Sequence, residues 1–371
     1  NVTPKGEMIP VLAEFWSLSD DKKVYRFHLK KNIIWDDKKG FKASDIVFDF
    51  KDRGVRVDVV DDYTIDFILK DKLDIFPVYL TKPVTKKSLT GVGGVYSIQS
   101  YKSKKGKLEV INLLPNQKGL PYKVFRFYKS EDDLVNAYKK GEITRFDTSN
   151  ENIIKVFTSW NNTAVNKTID YTKIMTIFFN MESAVFGSRD MRKVVAYAAD
   201  DYKAYGVPAD GPIPPSSWAY FDDVKQYSHD LERAKSTLDK AETASKSATI
   251  KLHTFYDYAD VADALKKNLE QIGLKVELKL LSYVPTDFDM FLTVWDAPED
   301  PDQYFRWHST QTETNITKFN SQKVDQLLET GRQYVNVQQR KKIYRDFQKV
   351  MADELPAYFI YHPYTYTISR K

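Results

Sequence analysis

Four carboxylates, Asp296, Glu299, Asp300 and Asp302, crowd one short stretch directly behind a tryptophan, Trp295. Carboxylates gathered so closely can act as the general acid and base of a glycosidase-like hydrolase. They can equally meet a cationic group of a bound ligand, or simply cap a helix and stay solvated. Trp295, Tyr304 and Trp307 offer broad apolar walls whose N–H and O–H tips could orient a small molecule. For Tyr304 and Trp307 the alternative is a core-facing position on a helix. Trp295 is expected at the end of a strand, where open α/β sheets expose their ligand crevice. His308 either touches a ligand or is a satisfied surface histidine.

Other chemistry is poorly provided for. The five histidines, His28, His229, His253, His308 and His362, include no pair spaced four apart, the spacing that sets two imidazoles on one helical face for zinc. No phosphate loop of the G-x-x-x-x-G-K type occurs, and Gly91, Gly93 and Gly94 lack the spacing of a dinucleotide fingerprint. A G-x-S-x-G elbow is also missing. With no cysteine, the chain has neither disulfides nor thiolate sites. No catalytic residue, metal or cofactor is expected, and binding without turnover is the leading reading.

The elements that must position these residues follow from periodicity. Tyr25, Phe27 and Leu29 alternate with Arg26, His28 and Lys30, as in a half-buried strand. Ser44 is expected to cap a short helix carrying Ile46, Val47 and Phe50. Val55 to Val59 and Ile65 to Leu69 read as a hairpin turning at Asp61-Asp62, and Tyr96 to Ile98 pairs with Val110 to Leu114. Phe125 and Phe127 read as a further strand, and Ser130 with Asp133 resembles a capping box for a helix that stops at Gly141. From residue 176 strands and helices alternate, through Ile177-Phe178-Phe179, the helix of Met191 to Ala198, and on to Phe288 to Trp295. That β-α-β order predicts an α/β lobe. Two helices then precede Pro356 and an aromatic terminal strand.

At 371 residues the chain exceeds what one core comfortably holds, so two lobes are expected. The boundaries predicted are 1–178 plus 357–371 for the first, sheet-rich lobe and 179–356 for the second, with crossings near Asn180 and Pro356. A net charge of +5 comes with lysines spread along the whole length, which argues against a nucleic-acid footprint. No apolar run approaches a membrane span. No signal peptide is visible, and the opening Asn1-Val2-Thr3-Pro4 is polar and loop-like, so a targeting segment could have been removed ahead of it.

Leu12-Ala13-Glu14-Phe15-Trp16, Ser19-Asp20-Asp21, the run Tyr25 to Trp35, and Phe41-Lys42-Ala43-Ser44-Asp45-Ile46-Val47-Phe48 follow one another in an order that resembles the family 5 extracellular solute-binding proteins of ABC importers. Met191 to Ala198, Gly211-Pro212-Ile213-Pro214-Pro215, Asp300-Pro301-Asp302-Gln303-Tyr304-Phe305 and Val324 to Leu328 continue the match. The resemblance implies a two-lobed periplasmic-binding-protein-like fold (type II, cluster C), with mixed sheets flanked by helices and a hinge that lets the lobes close on a solute. It implies a peptide or similar small solute passed to a membrane permease, or alternatively a metal chelate or opine-like ligand, or a sensor of the same fold.

The protein is then expected to be a monomer in the periplasm or at the cell surface. A membrane would be reached only through a lipid anchor, which needs a cysteine that these residues do not contain. Tyr96 and Asn180 enter as first-lobe and hinge candidates for ligand contact on the resemblance alone. Three departures stand out: the family's opening strand is missing ahead of Leu12, the segment from Phe50 to Val55 is short, and Ala297 stands where peptide receptors carry an aspartate. The run Trp295 to Pro301 is closer to the nickel-chelate branch, with Glu299 in place of that branch's aromatic.

Overall fold

The computed structural model describes all residues other than 49, 51–53, 87–89, 93 and 242–246. The chain forms two compact units, the first made of Asn1–Thr3, Glu7–Val165 and Thr367–Lys371, the second of Pro4–Gly6 and Asn166–Tyr366.

The first unit opens with β1 (Ala13–Leu18), β2 (Val24–Leu29), β3 (Val55–Asp61) and β4 (Thr64–Leu69), an antiparallel sheet in the order β1-β2-β4-β3. The alternation read from the sequence holds, because Tyr25, Phe27, Leu29, Ile65, Phe67 and Leu69 all turn into one core with Trp35 and Phe41. A separate meander follows, β5 (Tyr96–Lys104), β6 (Lys107–Pro115) and β7 (Lys123–Arg126). After it come α1 (Glu131–Lys140), β8 (Arg145–Thr148) and α2 (Glu151–Thr158). Ser130 caps α1 by accepting the Asp133 N–H at 3.2 Å, and Gly141, at φ 80°, ends it in the left-handed conformation only glycine adopts freely. Tyr138, Phe146 and Phe157 share a small core with Ile368, contributed by the last residues of the chain.

The short helix expected after Ser44 is a single 3-10 turn, Ala43–Asp45, and Val47 lies 86% exposed. Asp45 organises the turn, accepting the Lys42 backbone N–H and the Trp35 indole N–H, each at 2.9 Å. Residues 51–53 and Gly93, on which the short-segment and glycine-loop readings fall, lie outside the described residues.

Pro4–Gly6 aside, the chain crosses between units within β9 (Thr163–Ile169) and again within the final strand. The second unit holds β10 (Lys173–Phe179), α3 (Arg189–Ala198), β11 (Gly206–Pro208), α4 (Leu231–Asp239), β12 (Thr249–Phe255), α5 (Ala259–Gln271), β13 (Lys275–Leu281) and β14 (Met290–Asp296). Then follow α6 (Tyr304–Trp307), α7 (Gln322–Gly331), α8 (Val337–Glu354) and β15 (Ala357–Arg370). The sheet runs β11-β15-β10-β14-β12-β13, with β8 and β9 also pairing with β15. It is mixed, since β12 is parallel to both β13 and β14 whereas β10 is antiparallel to β14 and β15. Residues 174–179 of β10 are all buried, the pattern of a strand covered on both faces. One face packs on α3, α4 and α5 through Ile177, Val194 and Leu265, the other on α7 and α8 through Phe178, Leu328 and Phe347.

The crossings therefore fall at Val165/Asn166 and Tyr366/Thr367, not near Asn180 and Pro356. The first half of β15 stays with the second unit because it pairs with β10 and β11 and buries Phe359, Ile360 and Tyr361 there. Only Thr367–Lys371 reach the first unit, as the tail was expected to do in full.

Two of the buried ionisable sites of this unit bear directly on its stability. The Asp300 carboxylate forks onto the Arg340 guanidinium at 2.5 and 2.9 Å, with both side chains almost wholly buried. Burial alone would lower the arginine's pKa, but the facing carboxylate outweighs it and holds the group above its ordinary value. His362 is 1% exposed and donates its Nδ1–H to the Lys173 carbonyl at 3.0 Å. Burial, only partly offset by that carbonyl, holds its pKa below 6.5.

Arg340→Met should strand a buried carboxylate and cost about 3–5 kcal/mol in chemical denaturation, whereas adding Asp300→Leu should recover much of the loss. For His362 the unfolded chain takes up a proton first as pH falls, so stability should be full above 6.5 and decline as pH drops from there toward the lower folded value. Melting temperatures recorded from about pH 7.5 to 5 should show that decline, and His362→Gln should lessen it, the buried His253 supplying the remainder.

Candidate functional site

Strand β14 carries the aromatic-acidic stretch to one end of the sheet. Trp295 lies opposite Ile174 and Asp296 opposite Lys173, the first residue of β10. Ala297 leaves the strand by donating its N–H to the Thr172 carbonyl at 2.8 Å, and the acidic loop begins there.

The four carboxylates of that loop part into two kinds. Asp300 is neutralised by Arg340, and Asp302 by Arg332 at 3.1 Å, so both are structural. Asp300 also accepts the Asp302 N–H at 3.0 Å, and Asp302 accepts that of Tyr304, which tightens the turn into α6. Asp296 and Glu299 are exposed, and among the described residues neither has a cationic partner. They are the uncompensated charges of the loop.

The aromatic residues are placed differently from the walls expected of them. Trp307 is 1% exposed and sits in the core, its indole N–H given to Gln303 at 2.7 Å while the Gln303 amide donates to the Pro212 carbonyl at 2.8 Å. Trp295 is buried beside it, packed against Trp307 and Phe359, and its indole N–H has no partner among the described residues. A buried donor left unmet costs on the order of 1–3 kcal/mol, so Trp295 carries an orphaned polar atom inside the core. Tyr304 is half-buried, stacked on His308 at 4.2 Å with the Arg332 guanidinium 4.1 Å from its ring. His308 is a buried histidine and not a surface one, with Nδ1 on Thr310 at 2.8 Å and Nε2 on Glu329 at 3.1 Å. Both ring nitrogens being used, it braces Tyr304 without presenting a free group.

Asn180 does not join this site. It follows the last residue of β10, at the end where Phe179 pairs with Met290, while Asp296 pairs with the first residue. Six strand residues separate the two ends, about 20 Å, so one small solute cannot touch both. Its amide instead donates to the Phe288 carbonyl at 3.0 Å and its Oδ1 accepts the Glu182 N–H at 3.1 Å, which fastens the turn after β10.

Tyr96 belongs to the first unit, where it lines a cavity of about 430 Å³ on the core face of the β1-β2-β4-β3 sheet. Its hydroxyl donates to the Pro121 carbonyl at 3.1 Å, and Lys123 lies 4.6 Å from its ring. Trp16, Phe27, Phe48, Phe67 and Leu80 make much of the wall apolar, with Thr81, Lys82 and Thr85 among its polar members. Alternation in β1, β2 and β4 predicts an apolar face but not that part of it stays open, since that depends on what else packs there. A second cavity of about 440 Å³ lies by β11 in the other unit, where Asp210 is already held by Tyr220 and Gln226.

No described helix is long and apolar enough to cross a membrane. The family described as bacterial extracellular solute-binding proteins, family 5 Middle, matches residues 7–316. The dipeptide-binding protein of Escherichia coli (strain K12) is 24% identical, over 98% of this chain and 83% of that one. Two solved structures share the fold across the whole chain and 87% of their own: NikZ from Campylobacter jejuni in complex with Ni(L-His), with a TM-score of 0.77 and 20% identity, and the oligopeptide-binding protein AppA from Bacillus subtilis in complex with a nonapeptide, at 0.76 and 20%. The fold is thus that of the periplasmic binding proteins, and the chain belongs to the family 5 extracellular solute-binding proteins, the substrate-binding components of ABC transporters.

Proposed function

We propose that this protein is the monomeric, extracytoplasmic binding component of an ABC importer, that it takes a short peptide by its α-ammonium group, and that it passes the peptide to a membrane permease without turning it over. The observation that carries this reading is the division of the acidic loop. Arginines neutralise Asp300 and Asp302, while Asp296 and Glu299 stay exposed and uncompensated at the end of a rigid central strand. An ammonium ion is the complement to such a pair, and charge-assisted hydrogen bonds to it are the strong ones. Relatives named for dipeptides and oligopeptides support the same class. Asp296 replaces, one position earlier, the aspartate that Ala297 has displaced.

Calorimetry with dialanine and trialanine checks this. The unmodified peptides should bind stoichiometrically and emerge intact. Asp296→Asn combined with Glu299→Gln should weaken them by about tenfold or more and leave the feeble binding of N-acetylated peptides unchanged. Equal affinity for acetylated and free peptides, cleavage of either, or a preference for nickel–histidine would defeat the proposal.

A further inference from the structure

The β5-β6-β7 meander carries the basic character of the whole chain. Between Tyr96 and Lys129 the strands and their hairpin turn hold Lys102, Lys104, Lys105, Lys107, Lys123 and Arg126, with Lys118 and Lys129 just beyond strand ends. Glu109 is the single acid among them, so this segment is net +7 while the entire chain is +5. The lysines are therefore not evenly spread as first read: outside this segment the protein is slightly acidic. All eight basic side chains are exposed. Lys102 meets Glu109 at 3.5 Å, and among the described residues no other basic group of the segment has an ion-pair partner.

The meander also lacks a core. From Tyr96 to Asn136 no residue is buried, although a three-stranded sheet needs a covered apolar face to be stable in water. Tyr101, Ile111 and Phe125 align across the three strands on one face, and Phe127 extends the row by donating its N–H to the Glu109 carbonyl. Tyr101, Phe125 and Phe127 are 45%, 52% and 50% exposed. On the other face Lys102, Val110 and Arg126 align in the same way. The free edge of β7 thus presents Lys123, Val124, Phe125 and Arg126 in succession, all exposed. At the end of the β5-β6 hairpin, Lys104 faces Lys107 across a turn in which Lys105 and Gly106 both take positive φ.

We propose that the β7 edge and the β5-β6 hairpin end dock this protein on an anionic phospholipid surface. Lysine and arginine draw the sheet to negatively charged headgroups, and aromatic rings flanked by long basic side chains sit well at the headgroup level. A hydrated polyanion would satisfy the charges but gives no partner to Phe125, Phe127 or Val124. Docking of this kind needs no lipid anchor and places a binding protein next to the membrane that holds its permease.

Vesicle sedimentation tests it. The protein should pellet with phosphatidylcholine vesicles containing about a third phosphatidylglycerol and not with phosphatidylcholine alone, and added salt should release it. Lys104→Glu, Lys107→Glu and Arg126→Glu together should weaken partition at least about tenfold. Lys323→Glu, Lys341→Glu and Lys342→Glu, the same charge change made on α7 and α8, should not. Phe125→Ser with Phe127→Ser should weaken partition by about tenfold while leaving the salt dependence. Circular dichroism checks that each variant is folded. Equal pelleting with neutral vesicles, or equal loss from the two charge-reversal sets, would overturn the proposal. So would binding to the vesicles that heparin abolishes and the phenylalanine changes leave untouched, which would point to a soluble polyanion.

Discussion

Strand β10 is buried on both faces and paired along both edges, and the arrangement of the second unit follows from that single constraint. A strand so enclosed must be apolar almost throughout, and it must find partners for every backbone group on either side. β14 and β15 supply them. Pairing with β14 fixes Trp295 and Asp296 at the end where β10 begins, and pairing with β15 draws the start of the terminal strand into the same sheet. Helices α3, α4 and α5 then cover one face and α7 and α8 the other.

Against that rigid frame the acidic loop is sorted by charge compensation. A buried carboxylate without a cation is expensive, so Asp300 and Asp302, turned inward, each carry an arginine. Those arginines flank the turn between α7 and α8, Arg332 at the end of α7 and Arg340 in the first turn of α8, which ties the loop to helices remote from it in sequence. Asp296 and Glu299 point outward and carry none. What distinguishes a ligand-facing carboxylate from a structural one is therefore the distant partner, which residue type alone does not reveal.

The parts legible in the sequence were those whose physics is local. Alternation placed β2 and the β3-β4 hairpin, and Ser130, Asp133 and Gly141 gave both ends of α1, because a cap and a left-handed stop depend on a few adjacent residues. The ordered string from Leu12 to Phe48 led to the family. The rest depended on remote contacts. Asp45, not Ser44, organised its turn, since it also captures the Trp35 indole. Trp307 and His308 are buried by partners on other elements, Asn180 lies at the wrong pole because strand direction decides the pole, and the crossings shifted because β15 serves two units. The basic segment was missed for a simpler reason: a chain-wide count of lysines averages out a local excess.

β15 continues from one unit into the other as a single strand, and its last residues put Ile368 into the small core of Tyr138, Phe146 and Phe157 and lay the Arg370 guanidinium over the Tyr138 ring. Those core-mates lie more than two hundred positions earlier. During vectorial synthesis the first unit cannot close until residues 367–371 have emerged, its strand β8 holding an open edge until β15 reaches it. An incomplete translation product would carry a second unit with most of its framework and a first unit still missing its closing segment. Emergence of β15, more than the order of the two units, sets when the first unit can close.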